Sequence, residues 1–391
     1  MVVISSAVKA DNPEVIEARK RKISVIPRAE MLGELMRGKT GIAVAGTHGK
    51  TTTTSMVASI LTEARLDPTI VIGGKVGALG GNAKLGQSEF VVAEADESDG
   101  SFLHLPATFV AVTNIDNDHL DHFKNLSAIE NAFVDFVGRI PFYGKAVVCL
   151  DDTGVQRVFS RFTKPVTTYG LTDGSDYRAV GLQTQGSGFK FELHFENRKQ
   201  ATIELKVPGR HNVLNALAAA ALARKIGVSW DDIQSGLESF LGADRRFQTK
   251  WKQKDQWIVD DYGHHPTEIK ATLGAARSLW KGRIICVFQP HRYSRTQNSF
   301  NEFLNSFTDA DMVLVTDIYP AGEKPIEGIS SETLVTAIAK QKKSGQVIEA
   351  VGDIASAQAR VLREFKSGDL VMTMGAGSIT KLSDALVEAL K

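Results

Sequence analysis

Short runs of β-branched and other apolar residues alternate along most of the chain with segments whose apolar residues recur every three or four positions. The runs GIAVAG, FVVAEA, TFVAVTN and KAVVCL are typical of buried strands, and a helical segment over residues 50–65 follows the first of them. Parallel strands need crossover connections, which are usually helices. Strands that alternate with helices therefore predict an α/β fold with a mainly parallel sheet.

The alternation lapses between about residues 166 and 207. Four apolar runs follow one another there with only turns between them, which predicts a local antiparallel meander: VTTYG, DYRAVGL, FKFELHF and ATIELKV. Two helices are predicted next, over residues 212–226 and 229–240, and Gly242 begins a hinge with the sequence GADRRF. From Trp257 the strand–helix alternation resumes, which predicts a second, doubly wound α/β domain.

The first 27 residues hold little more than one strand–helix–strand unit, whose helix begins at Asn12-Pro13. A piece of that size cannot bury a core of its own. We therefore predict three parts: residues 1–27 as the end of an N-terminal domain, 28–243 as a central domain and 244–391 as a C-terminal domain.

Composition excludes several classes of protein. The 391 residues include 46 Lys and Arg against 45 Asp and Glu, a net charge of +1 that argues against a nucleic-acid binder. Cys149 and Cys286 lie within apolar runs, as buried thiols of a reducing compartment do. No apolar run approaches the ~20 residues of a membrane span, and the N-terminus lacks the basic leader of a signal peptide. We expect a cytoplasmic protein without a membrane anchor; its oligomeric state is not indicated.

The strongest chemical signal is the segment GIAVAGTHGKTTTT, in which a strand ends at Gly46 and Gly49-Lys50-Thr51 begins a helix. Backbone N–H groups of such a loop hold phosphate, the lysine reaches the terminal phosphates and the first threonine binds Mg²⁺. We therefore predict a nucleotide-binding loop formed by Gly46, Thr47, His48, Gly49, Lys50, Thr51 and Thr52. Val44 stands where the general phosphate-loop pattern has glycine, so the loop is of a shorter form. We expect Lys50 to be exposed until nucleotide arrives, so that Lys50→Ala leaves the melting temperature unchanged.

Acidic residues follow the next strands. Glu94 is the first acid after FVVA and is our candidate for a Mg²⁺ contact, whereas Asp96, Glu97 and Asp99 are open to interpretation as a solvated loop. The run TFVAVTNIDNDHLDHF brings His119 to the same edge of the sheet, since ligands bind beyond the carboxyl ends of parallel strands. We expect His119 to be a metal or phosphate contact and His122 to be structural. A guanine-binding switch protein is disfavoured because no Asn-Lys-x-Asp segment follows a later strand.

Six motifs occur in one order along the chain: GTHGKTT, EADESDGSFLHL, TNIDNDHLDHF, PGRHNVLNALAA, DDYGHHPTE and QPHRYSRT. With them the chain resembles the Mur ligase family over essentially its whole length. The last two motifs favour the branch that adds L-alanine to UDP-N-acetylmuramate. The resemblance implies an N-terminal domain for the UDP-sugar, a central ATPase domain and a C-terminal Rossmann-like domain for the amino acid.

The resemblance also implies residue roles. Lys50 and Arg246 would contact the ATP phosphates, with Mg²⁺ at Thr51, Glu94 and His119. Further nucleotide contacts would come from His211, Asn212, Asn215 and Asp261. The alanine would be held by Tyr262, His264, His291 and Arg292. Plainer interpretations are that Asn212 caps a helix, that His265 only begins one, and that Arg292 pairs with an acid and stiffens a loop. Closure of the C-terminal domain is expected to complete the site.

The implied activity is an ATP-dependent ligation in peptidoglycan synthesis. The lactyl carboxylate of UDP-N-acetylmuramate would take the γ-phosphoryl group of ATP, and L-alanine would attack the acyl phosphate. Two alternatives stay open: a sibling ligase that adds another amino acid or a peptide, and a truncated nucleotide-binding protein without ligase activity.

The chain departs from the family pattern at two places. Several siblings carry a carbamoylated lysine at the position of Phe133, and its absence is compatible with the alanine-adding branch. The family begins with a glycine-rich βαβ segment that binds the uridine diphosphate, and residues 1–27 resemble only the part of the N-terminal domain after that segment. We therefore expect this chain to bind ATP but to hold the UDP-sugar weakly.

Overall fold

A computed structural model describes residues 1–5, 8–76 and 81–390, and in it the chain forms two compact units. The first unit comprises Met1–Gln185, Phe189–Leu205 and Asn212–Leu241. The second comprises Gly186–Gly188, Lys206–His211 and Gly242–Lys391. Ser6 and Ala7, which fall in residues 1–27, the predicted end of an N-terminal domain, lie outside the described residues, as does Lys391. The division into three domains stays a prediction.

The N-terminal segment is a strand–helix–strand unit, as predicted. Its elements are β1 (Val2–Ile4), α1 (Pro13–Lys20), β2 (Val25–Pro27) and the following α2 (Arg28–Met36). Asn12 caps α1 because its side-chain oxygen accepts a hydrogen bond from the backbone N–H of Glu14 at 2.9 Å. The strands β1 and β2 pair in parallel.

A ten-stranded sheet forms the centre of the first unit, in the order β12-β11-β10-β9-β8-β7-β3-β6-β4-β5. Its strands are β3 (Thr40–Ala45), β4 (Thr69–Val76), β5 (Gly81–Lys84), β6 (Phe90–Glu94), β7 (Phe109–Val112), β8 (Lys145–Cys149), β9 (Val166–Gly170), β10 (Tyr177–Gln185), β11 (Gly188–Phe195) and β12 (Arg198–Leu205). The pairs that join β9, β8, β7, β3, β6 and β4 are all parallel, which confirms the predicted parallel sheet.

The predicted antiparallel meander is only partly correct. The strands β11 and β12 are antiparallel, whereas β9 and β10 pair in parallel through Tyr169 and Tyr177. The Asp176 carboxylate accepts hydrogen bonds from both the backbone N–H and the hydroxyl of Thr168, at 2.7 and 2.9 Å. The Thr168 hydroxyl in turn accepts from Asp176 N–H at 2.9 Å, and these bonds fix the parallel register that strand patterning alone does not indicate.

Helices pack against this sheet. They are α3 (Lys50–Glu63), α4 (Leu120–Phe123), α5 (Leu126–Gly138), α6 (Thr153–Val158), α7 (Arg210–Lys225) and α8 (Trp230–Ser239). The alanine-rich α7 is buried from Ala216 to Ala223. The contact of α3 with α8 is close because Gly236 has no side chain: a Cβ atom there would lie 2.4 Å from Ile60 Cα.

The second unit is a six-stranded sheet in the order β13-β14-β18-β15-β16-β17. Its strands are β13 (Gln248–Gln253), β14 (Gln256–Asp261), β15 (Arg283–Phe288), β16 (Met312–Thr316), β17 (Val347–Gly352) and β18 (Asp369–Met374). Its helices are α9 (Pro266–Leu279), α10 (Tyr293–Asn298), α11 (Phe300–Phe303), α12 (Ser331–Ala339), α13 (Ile354–Glu364) and α14 (Thr380–Ala389). All pairs except β13–β14 are parallel.

Alternate residues of β15 enter two separate cores, one containing Cys286 and the other Val287. Both faces of the sheet are therefore covered, as the doubly wound prediction requires. Among the residues that the structure describes, no helix is both long and apolar enough to cross a membrane.

Candidate active site

The nucleotide-binding loop connects β3 to α3 and needs glycine at both ends. Gly46 and Gly49 have positive φ angles of 135° and 84°. A Cβ atom at Gly46 would lie 2.0 Å from Thr113 Oγ1, and one at Gly49 would lie 2.7 Å from Asn215 Oδ1. Other residues rarely adopt such angles, and here they would also collide with neighbouring side chains.

Residues that follow β7 hold the loop in shape. His48 N–H donates to Asn114 Oδ1 at 2.8 Å, and Asn114 Nδ2 donates back to His48 O at 2.9 Å. The Thr113 hydroxyl donates to the same carbonyl at 2.6 Å, and Asp116 N–H donates to Thr47 Oγ1 at 2.9 Å. The loop is thus ordered by the protein's own contacts, and such preorganisation favours binding.

Lys50 is not exposed, contrary to the prediction. Its Nζ donates to Gly46 O at 2.8 Å and to Thr47 O at 3.2 Å, and it lies 2.8 Å from Glu97 Oε2. The Lys50 side chain is 12% exposed and the Glu97 side chain 2%. A buried carboxylate needs a cation or hydrogen-bond donors, and the lysine supplies both.

The surroundings of Lys50 stabilise its charged form. Burial lowers the pKa of Lys50, but the negative charges of Glu97, Asp96 and Glu94 outweigh that effect, so the pKa lies above its usual value. Lys50 therefore remains a cation throughout the physiological range. A fixed positive charge at the start of α3 suits an anionic ligand such as phosphate.

Glu97 is the functional candidate that sequence reasoning missed. The interpretation of a solvated loop is correct for Asp96 and Asp99, which are exposed, but wrong for Glu97. The three acids stand within four positions of one another, and no hydrophobic pattern distinguishes the buried one. Glu97 is distinguished from the other two acids only by its contact with Lys50, which the fold creates.

Thr51 and Glu94, predicted as metal contacts, do lie together. The Thr51 hydroxyl donates to Glu94 Oε1 at 2.9 Å, and Glu94 Oε2 accepts from Gly73 N–H at 2.7 Å. A hydroxyl and a carboxylate are oxygen donors of the kind that Mg²⁺ prefers. These two residues fit the implied ion.

His119 is placed by other acids. It has a left-handed φ of 57°, and its Nε2 lies 3.5 Å from Glu97 Oε1 and 3.6 Å from Asp118 Oδ2. Burial lowers the pKa of His119, but the hydrogen bond to Glu97 and the charge of Asp118 raise it above its usual value. His119 thus shares Glu97 with Lys50. His122 packs edge-on against the ring of Phe123, which agrees with a structural role.

The asparagines of α7 reach the loop from the other side. Since α7 begins at Arg210, Asn212 lies inside the helix, and its interpretation as a helix cap is wrong. Asn215 Nδ2 donates to Asn212 Oδ1 at 3.0 Å, and both side chains are buried. The Oδ1 atom of Asn215 faces Gly49. His211 is exposed and belongs to the second unit, and Thr52 is buried within α3.

In the second unit, the predicted residues surround the turn between β14 and α9. Asp261 is 5% exposed, and its two carboxylate oxygens accept from Phe247 N–H and Gly263 N–H, each at 2.7 Å. Burial raises the pKa of Asp261 to about 6, although the positive charge of Arg246 and these two hydrogen bonds act in the opposite direction.

Two arginines lie over the ring of Tyr262. The guanidinium carbons of Arg245 and Arg246 are 4.9 and 5.1 Å from the ring centroid. Arg245 also pairs with the fully buried Asp260 at 3.2 Å, a contact typical of a structural residue. Arg246 Nη1 lies 3.5 Å from Glu268 Oε1, at the start of α9.

Three of the four predicted amino-acid contacts have rings that lie close together, and Arg292, the fourth, follows His291 in the chain. Tyr262 and His264 have ring centroids 5.5 Å apart, and those of His264 and His291 are 6.1 Å apart. His291 also stacks on Tyr319, with ring centroids 5.4 Å apart and an interplanar angle of 12°. Nothing in the sequence indicated this contact. Burial, followed by the charges of Arg295 and Arg292, lowers the pKa of His291 to about 4.

Arg292 and His265 make contacts of the kind that structural residues make. Arg292 has a φ of 68°. Its Nη1 lies 3.8 Å from Glu323 Oε1, a long ion pair with a neighbouring acid. His265 is 4% exposed and caps α9, since its Nδ1 accepts from Thr267 N–H at 3.4 Å. The interpretation of His265 as a residue that begins a helix is confirmed.

Comparison with known families gives three matches along the chain. Residues 1–40 match the Mur ligase family, catalytic domain; residues 44–223 match the Mur ligase middle domain; and residues 245–377 match the Mur ligase, glutamate ligase domain. The glutamate ligase domain thus contains the turn between β14 and α9. The match to the middle domain begins at Val44 and contains the whole nucleotide-binding loop.

Individual proteins similar to this chain belong to the same family. The UDP-N-acetylmuramate–L-alanine ligase of Geotalea daltonii is 54% identical over 392 residues, which cover 100% of this chain and 85% of that protein. The protein of the same name from Geobacter sulfurreducens is 51% identical over 394 residues, with the same coverage. The crystal structure of the UDP-N-acetylmuramate-alanine ligase of Thermotoga maritima is 28% identical, with a TM-score of 0.83 over 100% of this chain and 84% of that chain. The chain belongs to the Mur ligase family of ATP-dependent, amide-forming ligases.

Proposed function

We propose that this chain joins L-alanine to the lactyl carboxylate of UDP-N-acetylmuramate and releases ADP and phosphate, as a step of peptidoglycan synthesis. The observation that carries the proposal is the high identity, over the whole chain, with proteins named for this reaction. The charged cluster around Lys50 supports it, because it provides a cation where a phosphate-binding loop meets a helix. Since ATP is an intracellular compound, a cytoplasmic location belongs to the same proposal.

The reaction needs ATP because a carboxylate and an amine do not condense in water. A carboxylate oxygen attacks the γ-phosphorus of ATP, the bond to ADP breaks, and an acyl phosphate forms. The alanine amine then attacks the carbonyl carbon, and phosphate leaves with one of the original carboxylate oxygens. The protein's task is to align the reacting groups and to neutralise the charge that develops on the phosphoryl oxygens.

Lys50 is the main group for this task. Its ammonium group contacts the carbonyls of Gly46 and Thr47, and we propose that phosphate oxygens replace these carbonyls when nucleotide binds. The N–H groups at the start of α3 provide the rest of the cradle. We assign His48, Asn212, Asn215, His211 and Asp261 to the nucleotide as well, and Arg246 to its phosphates.

Thr51 and Glu94 are the residues that would hold Mg²⁺, with His119 as a further candidate. When bound, the ion would neutralise phosphate charge. Glu94 is already oriented for this role by Gly73 N–H.

The second unit is proposed to hold alanine through Tyr262, His264, His291 and Arg292. The hydrogen-bond partners of the two histidines support a choice between them as the proton acceptor. Nδ1 of His264 lies 3.1 Å from the carbonyl of Tyr262, which only accepts, so we assign the ring proton to Nδ1. Nδ1 of His291 faces Arg295 Nη1 at 3.2 Å, and its lone pair is already used by that donor. We therefore propose that His264, rather than His291, takes the amine proton.

The proposal is tested by ADP release from the full chain with Mg·ATP and UDP-N-acetylmuramate. L-Alanine, glycine, L-serine, D-glutamate and a short peptide are compared as acceptors, and the amide product is identified by mass spectrometry. We expect the largest kcat/KM with L-alanine. A larger value with another acceptor would indicate a sibling activity, and ATP binding without ADP release would indicate a nucleotide-binding protein that is not a ligase.

A further inference from the structure

Glu268 lies among the proposed ligand contacts of the second unit and ends the motif DDYGHHPTE, but the sequence assigns it no role. Its Oε2 accepts from His264 N–H at 3.0 Å and from His265 N–H at 3.2 Å. Its Oε1 lies 3.5 Å from Arg246 Nη1. The Glu268 side chain is 11% exposed, so these contacts are largely shielded from water.

The simplest explanation of Glu268 is structural. It occupies the third position of α9 and completes a capping box with His265. In such a box the residue at this position accepts a hydrogen bond from a backbone N–H group, and glutamine serves as well as glutamate. Capping therefore explains the contacts of Oε2, but it requires neither the negative charge nor the approach of Oε1 to Arg246.

The charge of Glu268 affects the groups around it. Together with Arg246 it influences Asp261: the guanidinium favours the ionised carboxylate there, and Glu268 opposes it. Nδ1 of His264 lies 3.4 Å from Glu268 Oε2. One carboxylate thus stands between the arginine assigned to the ATP phosphates and the histidine assigned to the amine.

We propose that Glu268 is a positioning residue of the ligation, whose two carboxylate oxygens hold Arg246 and the His264 turn in a fixed relation. This inference rests on the proposed function, because the roles of Arg246 and His264 come from it. A single side chain then sets the position of a phosphate contact and of an amino-acid contact. The role needs a negative charge at position 268, not merely a hydrogen-bond acceptor.

The variant Glu268→Gln separates the two explanations, because it keeps the cap and removes the charge. We expect its melting temperature to match that of the parent, while kcat/KM for ATP falls about tenfold, which corresponds to ~1.4 kcal/mol. Glu332→Gln is the matched control, since Glu332 is an exposed acid in the first turn of α12 and its loss should change neither quantity. Parental kinetics in Glu268→Gln would overturn the proposal.

A double-mutant cycle tests whether Glu268 acts through Arg246. In an Arg246→Ala background, Glu268→Gln should change kcat/KM for ATP by less than about twofold, because the group that it positions is gone. A full tenfold loss in that background would contradict the inference. Calorimetry with a non-hydrolysable ATP analogue gives a readout that does not need ligation: weaker binding by Glu268→Gln supports the positioning role even if the parent uses another acceptor than alanine.

Discussion

Two buried carboxylates, Glu97 in the first unit and Asp261 in the second, are stabilised in different ways. Glu97 is paired with a side-chain cation, since Lys50 Nζ lies 2.8 Å from it and His119 approaches it as well. Asp261 receives two backbone N–H groups, and its pKa is about 6. Lys50, whose pKa lies above its usual value, therefore keeps its positive charge across the physiological pH range, whereas the second site contains a carboxylate that titrates just below neutrality.

The difference matters for how each site meets a ligand. At the first site the lysine already has protein partners, so phosphate must replace carbonyl oxygens rather than capture an unsatisfied cation. At the second site the net charge changes with pH, and we expect binding of the nucleotide, to which Asp261 is assigned, to change with it. Phosphoryl transfer needs a constant positive charge, which Lys50 provides, and amine attack needs a proton acceptor, the role proposed for His264.

Lys50→Ala should have the largest effect, on both activity and stability. Loss of one transition-state contact typically costs about 10²–10³-fold in rate. Because the variant also leaves the Glu97 carboxylate buried without its cation, we expect the free energy of unfolding to fall by about 3–5 kcal/mol. This replaces the expectation from sequence that the melting temperature is unchanged.

The double variant Lys50→Met/Glu97→Gln is the control. It removes both charges of the pair, so chemical denaturation should show most of the stability restored while ADP release stays abolished. A single Lys50→Ala variant that melts like the parent would contradict the pairing of Glu97 with Lys50.

Gly46→Ala tests the geometry of the phosphate loop. The new Cβ atom would meet Thr113 Oγ1 at 2.0 Å and would also need a positive φ, so we expect a loss of about 3 kcal/mol in unfolding free energy. Gly38 has a positive φ as well, of 78°, but a Cβ atom there would have no neighbour within 4 Å, so Gly38→Ala should cost only about 1 kcal/mol. Equal losses for the two variants, measured by urea unfolding, would mean that contact with Thr113 is unimportant.

Arg292→Lys should have a smaller and more selective effect. Lysine keeps the charge but loses the planar fork that grips a carboxylate at two points, so the KM for alanine should rise about tenfold and the KM for ATP less than about twofold. Glu323→Gln removes the acid beside Arg292 and separates binding from loop support. If both variants raised both KM values equally, Arg292 would be only a support for its loop.

The smallest effect concerns the titration of Asp261. Since its folded-state pKa of about 6 lies above the ordinary 3.8, protonation of this group stabilises the fold fully below about pH 3.8, and that stabilisation is lost as the pH rises through about 6. Carbon-13 NMR of the carboxyl should show the midpoint directly. Arg246→Ala should raise the midpoint and Glu268→Gln should lower it. Shifts in the same direction would contradict the charge arrangement around Asp261.

The fold was largely predictable because strand and helix patterns are local. The loop from Gly46 to Thr52 was predictable for the same reason: its residues are contiguous, and the glycines mark backbone positions that other residues rarely adopt. The parallel pairing of β9 with β10 was missed because it depends on Asp176 and Thr168, whose side-chain hydrogen bonds leave no trace in the hydrophobic pattern.

Glu97 and Glu268 were missed for a related reason. In the sequence Glu97 is one acid among several, and Glu268 is an ordinary capping residue. Each acquires a cationic neighbour only in the folded chain. The Lys50–Glu97 pair joins residues 47 positions apart, and the Arg246–Glu268 pair joins different elements of the second unit. Which acids are functional depends on their neighbours in the folded chain, and a single sequence does not show those neighbours.

The central claim, that the chain activates a carboxylate by phosphorylation before alanine attacks it, is tested most directly by oxygen transfer. UDP-N-acetylmuramate labelled with ¹⁸O in the lactyl carboxylate is incubated with the chain, Mg·ATP and L-alanine, and the inorganic phosphate is analysed by mass spectrometry. We predict one ¹⁸O atom in each phosphate released, because the acyl phosphate keeps a carboxylate oxygen when the amide forms. Release of unlabelled phosphate would contradict the account, since it would mean that water, rather than the carboxylate, receives the phosphoryl group.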